Sequence, residues 1–388
     1  MIYCRQIQHG NGRLLTAISF SRRPNVNLLI IIFPYCKDDV NHPYHQVMQG
    51  RMERNFNLNV MRAVAIGAVV LIHGSMNTFY MAPVDSVAWN ITNLCYSLSR
   101  FCVPLFFMIS AFLLIKENMD IGTFVRRRLA RIALPLLAWS IIYGLLNGED
   151  IFSRHWLVDV VINHYALVPL WFLYALIGLY LLMPLISLIY YKGGRAFCLF
   201  YALLTFLFSC TFPFLSAAYN INISFVGNMA LNNFNAFVIF LFLPLLIKDI
   251  RFTPSRGWLA AGLFMLAVIV MFTGTRSMSL AAHAARETYY AYTYPPTVVA
   301  SAALFYLMLN MRLTFSDRVK RGLTSVAGCS FGIYLAHMVV YMAIARLINV
   351  NEKLIWPFAS LLFSGVMFAV TYLAVRYLRT LPYIRALL

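Results

Sequence analysis

The chain has 388 residues, of which 61% are hydrophobic and only 11% are charged, and its mean hydropathy is +0.74. Soluble domains are not built from such a composition, so the sequence predicts a polytopic membrane protein. The formal net charge of +18 does not indicate a nucleic-acid partner, because the basic residues fall mostly in short connections between apolar segments.

An all-α fold is predicted, a polytopic membrane helix bundle of about ten transmembrane helices, because each apolar segment approaches the length that crosses a bilayer. The predicted spans are residues 60–80, 94–115, 132–147, 168–190, 196–216, 231–247, 257–273, 295–311, 323–344 and 356–375. Every second connection between the predicted spans is rich in basic residues, as at 126–131 and 312–321. The connections on the other side of the membrane contain few basic residues, and Arg100 is assigned to this second group. The positive-inside rule then places both termini in the cytoplasm.

The N-terminal segment, residues 1–51, differs from the rest. It is polar and basic, with one apolar patch at residues 27–33 that is too short to span a membrane. Two interpretations stay open. Either the segment is a disordered or interfacial extension, or the native chain starts at Met52. In both cases residues 52–388 form the membrane-embedded domain.

Arg62 and His73 lie within the otherwise almost wholly apolar first span. Eleven residues are close to three helical turns, so both side chains should leave one face of the helix, about 16 Å apart along its axis. Ionisable groups inside a membrane usually serve function, and an imidazole suits general-base chemistry at neutral pH. The alternatives are a hydrogen-bonded core imidazole for His73 and a side chain that snorkels to the cytoplasmic edge for Arg62.

A run of arginines opens the third span, with Arg127, Arg128 and Arg131 among them. Guanidinium groups match phosphate oxygens with two parallel hydrogen bonds, and residues three apart share a helix face. We therefore expect these three arginines to bind a phosphate-bearing ligand. The alternative is that they only anchor the topology.

Other polar groups give weaker signals. Tyr334 and His337 are three residues apart in the ninth span, and Trp171 opens the fourth, where an interfacial tryptophan is ordinary. Tyrosines at residues 289–294 could stack on sugars or form an interfacial belt. The histidines show no metal-ligand spacing on a helix, no Gly-x-Ser-x-Gly motif occurs, and the seven cysteines include no Cys-x-x-Cys pair. No metal site is expected.

Taken in chain order, these features resemble the integral-membrane acyltransferase family three. The matching segments are Arg62-(ten residues)-His73, residues 99–114 with Ser110, Arg128-x-x-Arg131, residues 169–173 with Trp171, and Ser330–His337 with Tyr334. They run from about residue 55 towards the C-terminus. The chain departs from the family pattern at Pro169, where a polar residue is usual, and at Ala111, where glycine is usual. The departure at Pro169 puts in doubt a contact with the acceptor at the outer face. The departure at Ala111 should alter only helix packing.

The resemblance implies an O-acyltransferase that moves an acyl group, most often acetyl, from cytoplasmic acyl-CoA to a hydroxyl of a cell-envelope glycan, such as O-antigen or enterobacterial common antigen. It implies a multi-pass protein of the bacterial inner membrane, among membrane lipids, with a lipid-linked or surface glycan as acceptor. His73 and Arg62 would be catalytic, and Arg127, Arg128 and Arg131 would bind acetyl-CoA. The expected supporting residues are Ser110, Trp171, Tyr334 and His337.

The competing class is a polytopic transporter or a lipid-linked glycan flippase, which ten spans and basic loops would permit. None of the thirteen acidic residues falls inside a predicted span, and ion-coupled transport usually depends on carboxylates there. No internal repeat is detectable either, and many transporters are built from repeats. Both observations favour the acyltransferase.

Overall fold

The structure is a computed structural model, and it describes residues 2–8, 14–20, 31–34, 43–161, 169–223, 235–347 and 358–388. The starts of three predicted spans (168, 231–234 and 356–357) and residues 27–30 of the apolar patch lie outside the described residues, as does His164 of an outer connection. The chain divides into two compact units, residues 1–53 and 54–388.

The N-terminal unit contains three antiparallel strands, β1 (Ile2–Gln8), β2 (Leu14–Phe20) and β3 (Ile31–Pro34), in the order β1-β2-β3. An interfacial extension stays a prediction, but the described residues of this unit have regular structure rather than none. The physical reason is local sequence: β-branched and aromatic residues are frequent here, and such residues favour strands. The end of the apolar patch becomes β3, which pairs with β2. A native start at Met52 stays a prediction.

The second unit is a bundle of helices, which confirms the predicted fold class. Eight helical segments in the described part are long and apolar enough to cross a membrane. Along the described chain, the α-helices are α1 (Pro43–Gly74), which begins before residue 54, α2 (Met76–Met81), α3 (Val87–Ser99), α4 (Cys102–Leu114), α5 (Ile121–Leu146), α6 (Arg154–Val161), α7 (Trp171–Tyr191), α8 (Gly194–Leu204), α9 (Phe212–Tyr219), α10 (Ile239–Ile247), α11 (Pro254–Ala282), α12 (Pro295–Asn310), α13 (Asp317–Leu347) and α14 (Ala359–Leu378).

Several helices differ in length from the predicted spans. The first ends at Gly74 rather than at residue 80, and α2 follows after Ser75. Helix α11 continues to Ala282, so residues 274–282 belong to a helix and not to an outer loop. It ends where His283 takes a left-handed conformation, with φ of 49°. Hydropathy marks where polarity changes, whereas the backbone stays helical until a cap stops it.

The second predicted span consists of α3 and α4, which together cover residues 87–114. Arg100 lies between them, inside this span, so its assignment to an outer connection was wrong. Its neighbours are mostly apolar, but a buried cation is tolerated within a protein when the surrounding groups neutralise it. Those groups are described below.

The C-terminal end of α1 is held by three neighbours. The Tyr96 hydroxyl of α3 donates to the Ile72 carbonyl at 2.9 Å, and the Ser75 hydroxyl donates to the Leu71 carbonyl at 2.5 Å. These bonds satisfy carbonyls that a helix end leaves without partners. Gly74 approaches α14 so closely that a Cβ atom there would lie 2.9 Å from Cα of Ser364. The backbone next to His73 is therefore fixed.

Helix α13 is placed by similar contacts. A Cβ atom at Gly332 would lie 2.6 Å from Cγ1 of Val375 in α14, so glycine permits the close approach of the two helices. The Tyr143 hydroxyl of α5 donates to the Leu335 carbonyl at 2.7 Å. Tyr334 and His337, which flank that carbonyl in the sequence, are thereby positioned against the rest of the bundle.

Candidate active site

A cavity of about 330 Å³ lies between α1, α4, α5, α7 and α13. Its polar lining comes from Arg62, Arg131, Ser110, Tyr180, Ser330 and Tyr334. The remaining wall is apolar and aromatic. Such a combination, a concave apolar space with a few polar groups, is the usual form of a ligand site. The cavity also brings Arg62 of the first helix and Arg131 of the third span together, while the roles of both residues stay predictions.

The predicted arginine cluster divides into two parts. Arg131 lines the cavity, and Arg128 lies close enough to the cavity residue Tyr180 to interact with it electrostatically, as do Arg131 and Arg62. Arg127 is exposed and is not among the lining residues. Arg131 follows Arg128 by three residues and Arg127 by four, and both spacings place side chains on the same face of a helix. Spacing alone therefore could not show that Arg127 lies outside the cavity wall.

Tyr180 was missed by the sequence analysis. It lies in α7 and takes part in the cavity wall with three arginines around it. A tyrosine in an apolar helix is ordinary, so the sequence contained no signal that distinguished this one. Its position becomes visible only when α1, α5 and α7 are assembled.

A second, small cavity of about 10 Å³ adjoins His73, which is room for about one water molecule. Trp171, Pro169 and Tyr292 line it, and so does Tyr334. Tyr334 therefore borders both cavities, and its hydroxyl donates to the Pro169 carbonyl. The two spaces meet at this one side chain.

His73 is partly buried, at the last turn of α1, and its ring contacts that of His337 in α13. The ring centroids are 5.0 Å apart and the ring planes are tilted by 49°. The structure thus brings together two of the predicted site residues that lie far apart in the sequence. Of the other supporting residues, Trp171 and Tyr334 line the space at His73, whereas Ser110 lines the larger cavity.

The partner that orients His73 could not be named from the sequence. Asp85, an acidic residue in the connection before α3, is exposed. The two ion pairs found among the described residues are Arg100–Glu287 and Arg195–Asp249, and neither includes a histidine. The described ranges therefore give His73 no carboxylate partner, and His337 is its aromatic neighbour.

A cluster of tyrosines surrounds Arg100, which lies close enough to His73 to interact with it electrostatically. The guanidinium carbon is 4.6 Å from the Tyr290 ring centroid, 5.0 Å from that of Tyr96 and 5.6 Å from that of Tyr292. Its Nη2 atom donates to Glu287 at 3.0 Å. The Arg100 side chain is 7% exposed and that of Glu287 43%. Cation–π contacts and the ion pair together stabilise this buried charge.

The tyrosine run at residues 289–294 is mostly packed into the protein rather than displayed. Tyr289 and Tyr290 are buried. Tyr292 stacks on Trp171, with ring centroids 5.5 Å apart and planes at 26°. Removal from water raises the pKa of Tyr292, so its hydroxyl stays protonated at neutral pH. Within this run it is Tyr292 that lines the space at His73.

Comparison with known families agrees with this geometry. Residues 55–376 match the acyltransferase domain model of acyltransferase family three. The chain belongs to this family. No curated protein and no solved structure gives a match. The predicted family is thus confirmed. The matched range includes the arginines, the two histidines, the smaller cavity and every lining residue of the larger cavity except Ala386 and Leu388.

Membership in acyltransferase family three makes the chain a membrane acyltransferase, with several helices suited to crossing a membrane. This result favours the predicted acyltransferase over the transporter or flippase. The identity of the donor, the acceptor and the membrane, and the roles of the individual site residues, remain predictions. Among the described residues no cluster of three or more histidine, cysteine or acidic side chains is arranged to hold a metal ion.

Proposed function

We propose that the protein is an O-acyltransferase of the bacterial inner membrane that moves an acetyl group from cytoplasmic acetyl-CoA to a sugar hydroxyl of a cell-envelope glycan, such as O-antigen or enterobacterial common antigen. One observation carries the proposal. Tyr334 lines the cavity that contains Arg62 and Arg131, and it also lines the space beside His73. The arginines that can bind an anion and the histidine that can act as a base are thus linked through Tyr334.

The donor would bind in the larger cavity. CoA is polyanionic, and Arg131, Arg128 and Arg62 would hold its phosphates, since arginine binds phosphate through charge-assisted hydrogen bonds. Arg62 and His73 are separated by about 16 Å along one helix, a distance suited to the long, thin pantetheine arm. The thioester would then lie at Tyr334, close to His73. The apolar wall matches the pantetheine and acyl parts of the donor.

The transfer step follows from general-base catalysis. A ring nitrogen of His73 takes the proton of the acceptor hydroxyl as that oxygen attacks the thioester carbon. The tetrahedral intermediate collapses with cleavage of the carbon–sulfur bond, and the thiolate of CoA receives the proton from the His73 imidazolium. The products are the sugar ester and free CoA, and His73 returns to its neutral form. No oxidant or metal is needed for this balance.

The small space at His73 supports a short acyl group. It has room for about one water molecule, so an acetyl methyl group is easier to accommodate than a succinyl or longer chain. Trp171 and Tyr292, which stack on each other and line this space, offer aromatic surface to an incoming sugar. Pro169, at the position where the family usually has a polar residue, offers its carbonyl to Tyr334 and has no side-chain donor for the acceptor.

The direct test is transfer of radiolabelled acetyl from acetyl-CoA to envelope glycan in membranes that contain the protein. Label that enters the glycan fraction and is released by mild base, as an O-ester is, supports the proposal. Membranes with His73→Gln at the same protein level serve as the matched control. Absence of label in glycan from wild-type membranes, with several glycan acceptors supplied, would refute the proposed reaction.

A further inference from the structure

His337 is the most completely enclosed polar group at the site. Its side chain has no exposed surface, it lies in α13, and its ring contacts that of His73 at a centroid distance of 5.0 Å. It lines neither of the two cavities, whereas His73 lines the smaller one. A substrate therefore meets His73, and His337 lies behind it.

The backbone fixes the tautomer of His337. Its Nδ1 atom is 2.6 Å from the Tyr334 carbonyl oxygen and 3.2 Å from that of Ile333. A carbonyl oxygen only accepts hydrogen bonds, so Nδ1 must carry the hydrogen. In a neutral imidazole the other nitrogen, Nε2, then has a free lone pair and no hydrogen.

The Nε2 atom of His337 is buried and has no hydrogen-bond partner within the part of the chain that the structure describes. A buried acceptor without a partner is unfavourable and rare in folded proteins. The ring of His73 is next to it. An N–H group of His73 can satisfy this acceptor directly.

We propose that His337 is a positioning residue for the base. Its Nε2 lone pair accepts a hydrogen bond from one ring nitrogen of His73, which leaves the other ring nitrogen of His73 without a hydrogen and turned towards the space lined by Trp171 and Tyr292. The inference rests on the proposed function, because it assigns a role within that reaction.

A neutral acceptor suits the proposed chemistry. Partners that fix the tautomer and ring orientation of a histidine are often carboxylates or backbone carbonyls, and the described residues supply no carboxylate ion pair for His73. An imidazole in this place orients His73 without holding a permanent charge beside it. His73 can then release its proton to the departing thiolate at the end of the reaction.

The test compares two substitutions of similar size. His337→Leu removes the acceptor, whereas His337→Gln can place an amide oxygen near the position of Nε2. We expect His337→Leu to lower kcat for acetyl transfer by about 10- to 100-fold, the usual effect of losing a group that orients a functional histidine. His337→Gln should recover most of that loss. Acetyl-CoA affinity should stay within about twofold of wild type in both variants, because the phosphates are bound elsewhere.

Three controls keep the outcomes distinct. Thermal stability in detergent and acetyl-CoA binding show whether each variant is folded, and His155→Leu, an exposed histidine in α6, should leave transfer unchanged. Equal kcat in His337→Leu and wild type, or equal losses in the leucine and glutamine variants, would overturn the positioning role while leaving the proposed function intact. Lack of transfer by the wild type would contradict both the positioning role of His337 and the proposed function.

Discussion

Two regions of the molecule contain arginines close to the membrane interior, and their surroundings are opposite. In the larger cavity, Arg62 and Arg131 border open space, and the ion pairs of the described part do not include either of them. In the tyrosine cluster, Arg100 is paired with Glu287 and enclosed by three aromatic rings. Arginine residues therefore serve two different purposes in this protein. An arginine whose charge is already neutralised by the protein stabilises the fold, whereas one that borders open space is available to a ligand.

The largest contrast concerns the side of the membrane that each region faces. The positive-inside rule puts the cavity arginines at the cytoplasmic side and Glu287 at the outer side. A cysteine introduced at Ala284 should therefore react with an impermeant thiol reagent added to intact cells, and one at Ser316 should react only after permeabilisation. Both positions are exposed in the structure. The reverse labelling pattern would invert the direction of acyl transfer.

Loss of Arg100 should be a stability effect. Arg100→Ala removes the ion pair with Glu287 and three cation–π contacts, which we expect to lower the free energy of unfolding by about 2–4 kcal/mol. The measurement is thermal unfolding in detergent, together with the amount of protein in the membrane. Arg286→Ala, an exposed neighbour of Glu287, is the matched control and should behave like wild type. A stable Arg100→Ala protein with a raised KM for acetyl-CoA would erase the distinction between the two regions.

Loss of Arg131 should affect donor binding instead. Arg131→Ala should raise the KM for acetyl-CoA by about 10- to 100-fold, the equivalent of one charge-assisted hydrogen bond, with unchanged thermal stability. Arg131→Lys should recover part of the loss, because it keeps the charge but not the two-pronged geometry. Arg126→Ala, exposed on the same helix, is the control. Identical acetyl-CoA kinetics in Arg131→Ala and wild type would reduce the cluster to a topology anchor.

The smallest effect is expected at Arg127. Arg127 and Arg131 are both exposed, but only Arg131 lines the cavity, so Arg127→Ala should change the KM for acetyl-CoA by less than about twofold, the usual effect of an exposed charge without a bound partner. The comparison with Arg131→Ala is made in the same assay. An effect at Arg127 as large as that at Arg131 would show that CoA binds along the outside of α5 rather than within the cavity.

The sequence was sufficient to predict most of the helical architecture. Bilayer thickness fixes the length of apolar segments, and within one helix the geometry is known, so the relation of Arg62 to His73 and of Arg128 to Arg131 could be predicted from spacing. These are local relations, and the structure has α1 and α5 as unbroken helices over the residues concerned.

The contacts between distant helices could not be predicted in the same way. Nothing in the spacing of residues reports that His337 meets His73, that Tyr180 joins the arginines, or that Tyr292 reaches Trp171, because these contacts depend on how the helices pack. Small residues such as Gly74 and Gly332 set that packing through close approach, but the sequence does not show which helix each glycine faces. Arg100 was misplaced for a related reason, since its neutralising partners come from a segment almost two hundred residues away.

The central claim is that His73 is the base for acyl transfer, and one measurement tests it most directly. Membranes with wild type, His73→Gln and the control His155→Gln are compared for acetyl transfer to glycan and for acetyl-CoA binding at equal protein levels. We predict that His73→Gln abolishes transfer while acetyl-CoA affinity stays within about twofold of wild type, because the CoA phosphates bind about 16 Å away. Substantial transfer by His73→Gln would contradict this claim, because another group would then have to accept the proton of the acceptor hydroxyl.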